Sequence, residues 1–121
     1  MATLLVNAGK AIVTNRIKGS GTEPSYVAYG TGAGTTAATD TTLFTETGSR
    51  VAGTSTQQTT SVTDDTYQVV GTQTAGGTLA ITNAGLFDAS TSGNLFVKGD
   101  FSTINLSSGD SIQFTFKTQF S

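Results

Sequence analysis

The chain has 121 residues, a length that suits one domain with its own hydrophobic core. It contains no cysteine and no histidine, which excludes a disulfide framework, a thiolate metal site and any catalytic relay built on histidine. The net charge is −2 and no run of lysine or arginine occurs, so nothing indicates binding to nucleic acid. No apolar run reaches the length of a membrane span or of a signal sequence, so we expect neither a membrane anchor nor export by the Sec route.

The composition indicates a folded all-β chain. About a fifth of the residues are threonine, glycine is abundant, and only 12% of the residues are charged. β-Branched threonine favours strands, and glycine and serine favour the tight turns between them. The number of phenylalanines and valines argues against a disordered chain. We therefore predict an antiparallel β-sandwich, jelly-roll-like, with one short helix near the N-terminus.

The first seven residues are predicted to be an N-terminal arm, and residues 8–121 a single β-sandwich domain. Leu4, Leu5 and Val6 form a short apolar lead. Two alternatives remain for it: it packs on its own domain, or it attaches to a neighbouring protein. Under the second alternative, these three residues are the candidate contacts with that neighbour.

Residues 8–18 have apolar side chains at mixed helical spacings. Asn7 is a suitable N-cap and Gly19 a suitable end for a helix of one to three turns. An extended conformation of residues 11–14 is the alternative.

Residues 26–30 read Tyr-Val-Ala-Tyr-Gly, which predicts a strand that is buried on both faces. The glycines that follow resemble a nucleotide-binding loop only superficially, because Thr35 stands where the third glycine of that fingerprint belongs. We interpret residues 30–34 as a mobile loop. Residues 40–46 are predicted to form a short helical turn capped by Asp40, with Leu43 and Phe44 reaching the core.

Two further strands are predicted in the middle of the chain, over residues 50–57 and 66–74, with Asp64 and Asp65 in the turn between them. Residues 54–61 are polar on both faces, which is typical of an edge strand or of an exposed hairpin arm.

The last third of the chain is predicted to contain three strands of one antiparallel sheet, over residues 79–82, 94–98 and 111–120. In the last of them the side chains alternate, so one face is buried and the other is wet. The predicted buried face consists of Ile112, Phe114, Phe116 and Phe120, interrupted by Thr118.

Catalysis is not expected. With no histidine available, the eight acidic residues are the main candidates for chemistry, and most of them lie next to glycine or small residues at predicted strand ends. Asp88 and Asp110 are examples, and aspartate is common there because its side chain caps turns. A small carbohydrate-active enzyme, which needs two carboxylates across one cleft, is the remote alternative. We expect no cofactor and no metal.

A longer pattern lies in the C-terminal half: GLFDA, a loop, GNLF, then F-x-x-I-N-L-x-x-G-D and an alternating last strand. This pattern, with residues 12–19 and 26–32 upstream, resembles structural proteins of tailed-bacteriophage virions, including small capsid decoration (cement) proteins and tail-fibre or collar modules. Asn83 departs from the resemblance, which leads us to expect an acidic residue there. The residues expected to determine the fold are Gly85, Leu86, Phe87, Asp88, Gly109 and Asp110, together with the inward residues of the last strand.

The resemblance implies a virion protein that acts by contact. Our main hypothesis is a capsid decoration protein that binds the major capsid protein and stabilises the shell, and the family likeness implies a homotrimer. The alternative is a tail-fibre, collar or baseplate module, which would contact host glycans in some cases.

Overall fold

A computed structural model describes residues 3–121 of the chain. Within this range the chain forms one helix and eight strands. In chain order they are β1 (Thr3–Leu5), α1 (Asn7–Ile17), β2 (Tyr26–Gly30), β3 (Glu46–Ala52), β4 (Thr54–Gln58), β5 (Thr66–Thr74), β6 (Leu79–Phe87), β7 (Leu95–Leu106) and β8 (Ser111–Gln119).

The strands form two antiparallel sheets. The large sheet has the order β1-β7-β6-β2-β3, and the small sheet has the order β4-β5-β8. The inner faces of the two sheets share apolar clusters, in which Val27 and Leu86 of the large sheet lie with Val69 of the small sheet. The predicted all-β sandwich with one short helix is confirmed.

The chain passes from the large sheet to the small sheet at Gly53. We predicted one strand over residues 50–57, but the structure has β3 before this glycine and β4 after it. A Cβ atom at position 53 would lie 2.5 Å from a methyl group of Val69, so only glycine fits where the two layers meet. The period of the side chains could not reveal the switch, because both segments are extended.

β8 pairs with β5 and not with β7, so the three C-terminal strands do not form one sheet as predicted. Gly109, at φ +87°, and Asp110 form a turn, and the Asp110 carboxylate accepts a hydrogen bond from the Ser107 N–H at 2.8 Å. This turn carries the chain from one layer to the other and does not close the hairpin that its sequence suggests. Gly109 and Asp110 therefore form the predicted turn, but a turn sequence does not determine which strand the following segment pairs with.

The middle of the large sheet is buried on both faces, which explains why β2 and the end of β6 are mostly apolar. Its inner face meets the small sheet. A long loop over residues 31–45, which we call the strap, covers part of the outer face. Beneath the strap lies an apolar cluster of Val6, Ala28, Leu43, Phe87 and Leu95.

Polar contacts hold the strap in place. The Lys98 ammonium pairs with the Asp40 carboxylate at 2.8 Å, and the Thr36 N–H donates to Asp100 at 3.0 Å. The predicted helical turn over residues 40–46 is wrong: no helix forms there, and Asp40 anchors a loop. Leu43 is buried as predicted. The predicted mobility of residues 30–34 does not fit their packing either, since Gly34 lies against the Phe44 ring.

The helix begins one residue earlier than predicted. Val6 occupies the N-cap position without a side-chain hydrogen bond, so the predicted capping role of Asn7 is wrong. The helix runs through residues 11–14, which excludes the extended alternative. After Ile17 and the C-cap residue Lys18, the chain leaves the helix at Gly19, whose φ of +94° suits glycine at a helix end.

Candidate interaction surface

The N-terminal lead joins the domain. β1 pairs with β7, with Leu4 opposite Lys98 and Leu5 opposite Val97, and Val6 is fully buried. These pairings contradict the idea that residues 3–7 stand apart from the sheet, while residues 1 and 2 of the predicted arm lie outside the described residues. Among the three predicted contact residues, Leu4 is the most exposed, at 36%. An attachment role for the lead stays a prediction, and Leu4 has the most surface available for it.

The residues predicted to determine the fold lie at turns and in the core. Leu86 and Phe87 are buried, and a Cβ atom at Gly85 would lie 2.6 Å from the Val97 carbonyl oxygen, so β6 and β7 approach closely there. The Asp88 carboxylate accepts a hydrogen bond from the Asn94 N–H at 2.7 Å and closes the β6–β7 loop.

The alternation predicted for the last strand is present in β8. Ile112, Phe114 and Phe116 face inward but are only half-buried, and Thr118 is more buried than any of them. Phe120 lies beyond the end of the strand and is 45% exposed, so its predicted place in the buried face is wrong. The inward phenylalanines are half-buried because the small sheet ends at β8.

Beside β8 lies an open groove of about 510 Å³, which we call the β8 groove. The large sheet extends past the small sheet here, so part of its inner face has no strand across from it. The groove is lined by Thr3–Leu5 of β1, by Val97, Gly99 and Phe101 of β7, by Ala84 of β6 and by residues 114–119 of β8.

Aromatic rings form much of the apolar surface of the groove. The centroids of the Phe101 and Phe114 rings are 6.5 Å apart, and those of Phe114 and Phe116 are 6.1 Å apart in a stacked arrangement. Such spacings are typical of favourable aromatic packing. The rings are thus held in place by one another while part of their surface faces the groove.

The outer edge of β8 is unpaired. Within residues 3–121, β8 forms a ladder with β5 on one side and with no strand on the other. An edge strand presents backbone N–H and C=O groups that can pair with another chain. Lys117 is the one charged residue of this edge strand; its side chain lies on the exposed outer face, and no ion pair to it is present among the described residues.

Sequence reasoning found the inward residues of β8 but not the groove. It missed Phe101, Lys117 and the part of β7 that has no strand of the small sheet across from it. The alternation along a strand shows which residues share a face, whereas the groove depends on where each sheet ends. No local signal in the sequence gives that information.

The acidic residues of the described chain act mainly as turn and loop anchors. The Asp65 carboxylate accepts hydrogen bonds from the N–H groups of Val62, Thr60 and Ser61, which hold its pKa far below the usual value. No group of three metal-ligating side chains occurs within residues 3–121. Within the same range, no helix has both the length and the apolar character needed to cross a bilayer.

A family model described as "Podophage GP4 fiber I protein gp80" matches residues 9–119. No curated protein and no solved structure gave a significant match. The matched range includes most of the helix and every strand from β2 to β8. The chain therefore belongs to this podophage fibre family and is a structural protein of bacteriophage virions, as the resemblance implied. The match favours the tail-fibre alternative over capsid decoration.

Proposed function

We propose that this member of the podophage fibre family is a structural module of the tail fibre, which holds its place in the virion through contacts between proteins. The observation that carries the proposal is the family match over residues 9–119, which includes nearly all of the sandwich. The proposed role involves no catalysis, no cofactor and no metal.

The structure supports a role that depends on contact. The unpaired edge of β8 offers backbone hydrogen-bonding groups, and the adjacent groove offers aromatic surface that the chain itself leaves partly exposed. Backbone pairing supplies affinity and the side-chain pockets supply specificity in this type of recognition. Self-association as a homotrimer belongs to the proposal too, and light scattering on the purified protein tests it.

The location of the chain in the virion tests the main proposal. The chain has no cysteine, so a Thr91→Cys variant in the exposed β6–β7 loop provides a single thiol for a maleimide-gold label. Phage assembled with this variant should carry gold on the tail. Phage assembled with the unsubstituted chain and treated with the same reagent is the control.

Gold distributed over the head would contradict the tail-fibre role and favour capsid decoration. Because the label reports position alone, this result would leave open how the chain is held at its site, which a separate measurement addresses below.

A further inference from the structure

We propose that the β8 groove receives an extended segment of a partner protein, which pairs with the edge of β8 as an added strand of the small sheet. The inference rests on the proposed function in that it takes the chain to be held in the virion by contact. The large sheet has five strands and the small sheet has three, and the groove lies where the small sheet stops short. An added strand would lie across from Val97, Gly99 and Phe101 of β7, and it would cover the part of the Phe101 ring that is now exposed.

The overhang of the large sheet decides what kind of partner fits. A second copy that paired its own β8 with this edge would bring its β7 and β1 into the same layer as β7 and β1 of the first copy. Neighbouring strands of a sheet lie about 4.8 Å apart. The space across from two paired β8 strands is therefore too narrow to hold β7 and β1 of both copies. A segment without a second layer of its own has no such clash.

The lining of the groove defines the chemistry of the segment. Successive side chains of a strand point to opposite faces, so alternate residues of the segment would contact Phe101, Phe114 and Phe116 and should be apolar. The residues between them would face solvent on the side of Lys117. We expect an acidic residue next to Lys117, because Lys117 is the one charged residue of β8 and no ion pair in the described chain neutralises its ammonium.

The length of the segment follows from the extent of the groove. The groove runs along residues 114–119 of β8. At about 3.3 Å per residue, an extended segment of roughly six residues covers this part of the strand.

A lysine on an edge strand has another common role, which is to discourage pairing with unwanted strands. Charge reversal separates the two roles. Lys117→Glu keeps a charged side chain on the edge and so preserves any protective effect, but it repels an acidic partner. Lys10→Glu on the exposed face of α1 makes the same change in net charge away from the groove and is the matched control.

The experiment measures incorporation of each variant into virions in competition with the unsubstituted chain, after confirming that both variants keep its melting temperature. Lys117→Glu should lower incorporation by about three- to tenfold, the range for losing and reversing an exposed ion pair, whereas Lys10→Glu should not. Equal incorporation of the two variants would overturn the inferred acidic partner.

A reconstruction of the virion by electron cryomicroscopy shows directly whether another strand pairs with the edge of β8. The inference requires one extended strand beside β8 that continues into a segment outside any second sandwich. An edge open to solvent, or one covered by the folded sandwich of another copy, would overturn it. The same map shows separately where the chain lies in the virion and whether a strand pairs with β8. A chain on the head with an added strand at β8 would refute the tail-fibre role but would still support this inference.

Discussion

Asn83 holds both backbone polar groups of Phe44. Its Oδ1 accepts a hydrogen bond from the Phe44 N–H at 3.0 Å, and its Nδ2 donates one to the Phe44 carbonyl at 3.1 Å. A side-chain amide has both a donor and an acceptor, whereas a carboxylate has acceptors only. The asparagine at a position where the resemblance suggested an acid is therefore the residue that the strap requires.

Asn83→Asp should destabilise the fold by about 1–3 kcal/mol at neutral pH, because a charge is placed in a buried site and the Phe44 carbonyl loses one of its two donors, keeping only the Gly32 N–H. The loss should shrink as the pH falls, since a protonated carboxyl can donate. Urea unfolding at several pH values measures it. Asn105→Asp, at an exposed position of β7, is the control, and an equal loss at both positions would refute the role assigned to Asn83.

Lys98 is fully buried, and its ammonium forms an ion pair with the Asp40 carboxylate. Its Nζ also lies 2.9 Å from the Thr42 carbonyl oxygen and 3.3 Å from the centroid of the Phe44 ring. Asp40→Ala should cost about 2–3 kcal/mol, less than for a fully enclosed pair because Asp40 is partly exposed. Lys98→Met should cost at least about 1 kcal/mol less than Asp40→Ala, because it removes the buried charge and keeps most of the side-chain volume.

Chemical denaturation of the two variants tests this order. If Lys98→Met proved the more damaging change, the attraction within the pair would outweigh the cost of burying the ammonium. The Asp40 pKa is lowered, chiefly by the hydrogen bond from Lys98, so the contribution of Asp40 is present at neutral pH and is lost as the pH falls below about 4.

The turn between β4 and β5 should be sensitive to acid. Hydrogen bonds from three backbone N–H groups favour the charged form of Asp65, so its pKa is lower in the folded chain than in the unfolded chain. Its stabilising effect is therefore complete above the unfolded-state value of about 3.9 and declines as the pH falls. The difference in melting temperature between the unsubstituted chain and Asp65→Asn should narrow from pH 7 to pH 2.

Asp64→Asn is the matched control for that measurement, because it changes the adjacent carboxylate, and asparagine tolerates the φ of +59° at this position. A pH dependence of the same size for both variants would assign the acid sensitivity to the general charge of the turn.

We expect deletion of the N-terminal lead, residues 2–7, to destabilise the domain. Val6 is buried in the cluster beneath the strap, and its N–H donates to the Phe96 carbonyl at 3.2 Å. Val6→Ala should cost about 1.5–3 kcal/mol, whereas Leu4→Ala, at a more exposed position, should cost clearly less. Calorimetry on both variants provides the comparison. An unchanged melting temperature after deletion of residues 2–7 would restore the free-arm hypothesis.

The phenylalanines of β8 should each contribute less to stability than Phe87, the one phenylalanine of β6. Phe87→Ala removes a fully buried ring and should cost about 3–5 kcal/mol, while Phe116→Ala, in the half-open groove, should cost about 1.5–3 kcal/mol. Gln113→Ala on the outer face should stay within about 0.5 kcal/mol. Denaturant unfolding of the isolated protein ranks the three variants. Equal losses for the two phenylalanine variants would mean that the groove is closed in solution.

Local patterns in the sequence predicted local structure well. The bounds of β2, the end of the helix at Gly19 and the inward face of β8 all follow from side-chain period and glycine chemistry within a few residues. The same patterns could not predict that β8 pairs with β5, that Gly53 divides two sheets, or that β1 joins β7. Those facts depend on contacts between distant parts of the chain, which no short window contains.

The strap shows a different limit. Asp40 precedes apolar residues in a way that is typical of a helix start, yet its carboxylate is taken by Lys98, more than fifty residues later. A tertiary ion pair replaced the local cap. The sequence did not predict the interaction surface for a related reason. The edge of β8 is open because no other strand pairs with it, and the sequence of β8 does not show which strands lie beside it.

The pairing of β1 with β7 also constrains how the protein is made. Thr3 lies opposite Gly99, so β1 can join the sheet only after β7 has been synthesised. Until then the nascent chain exposes Leu5 and Val6, which pack against residues that are made later. Contacts between such distant segments slow folding, and we expect the large sheet to close only after β7 has been translated.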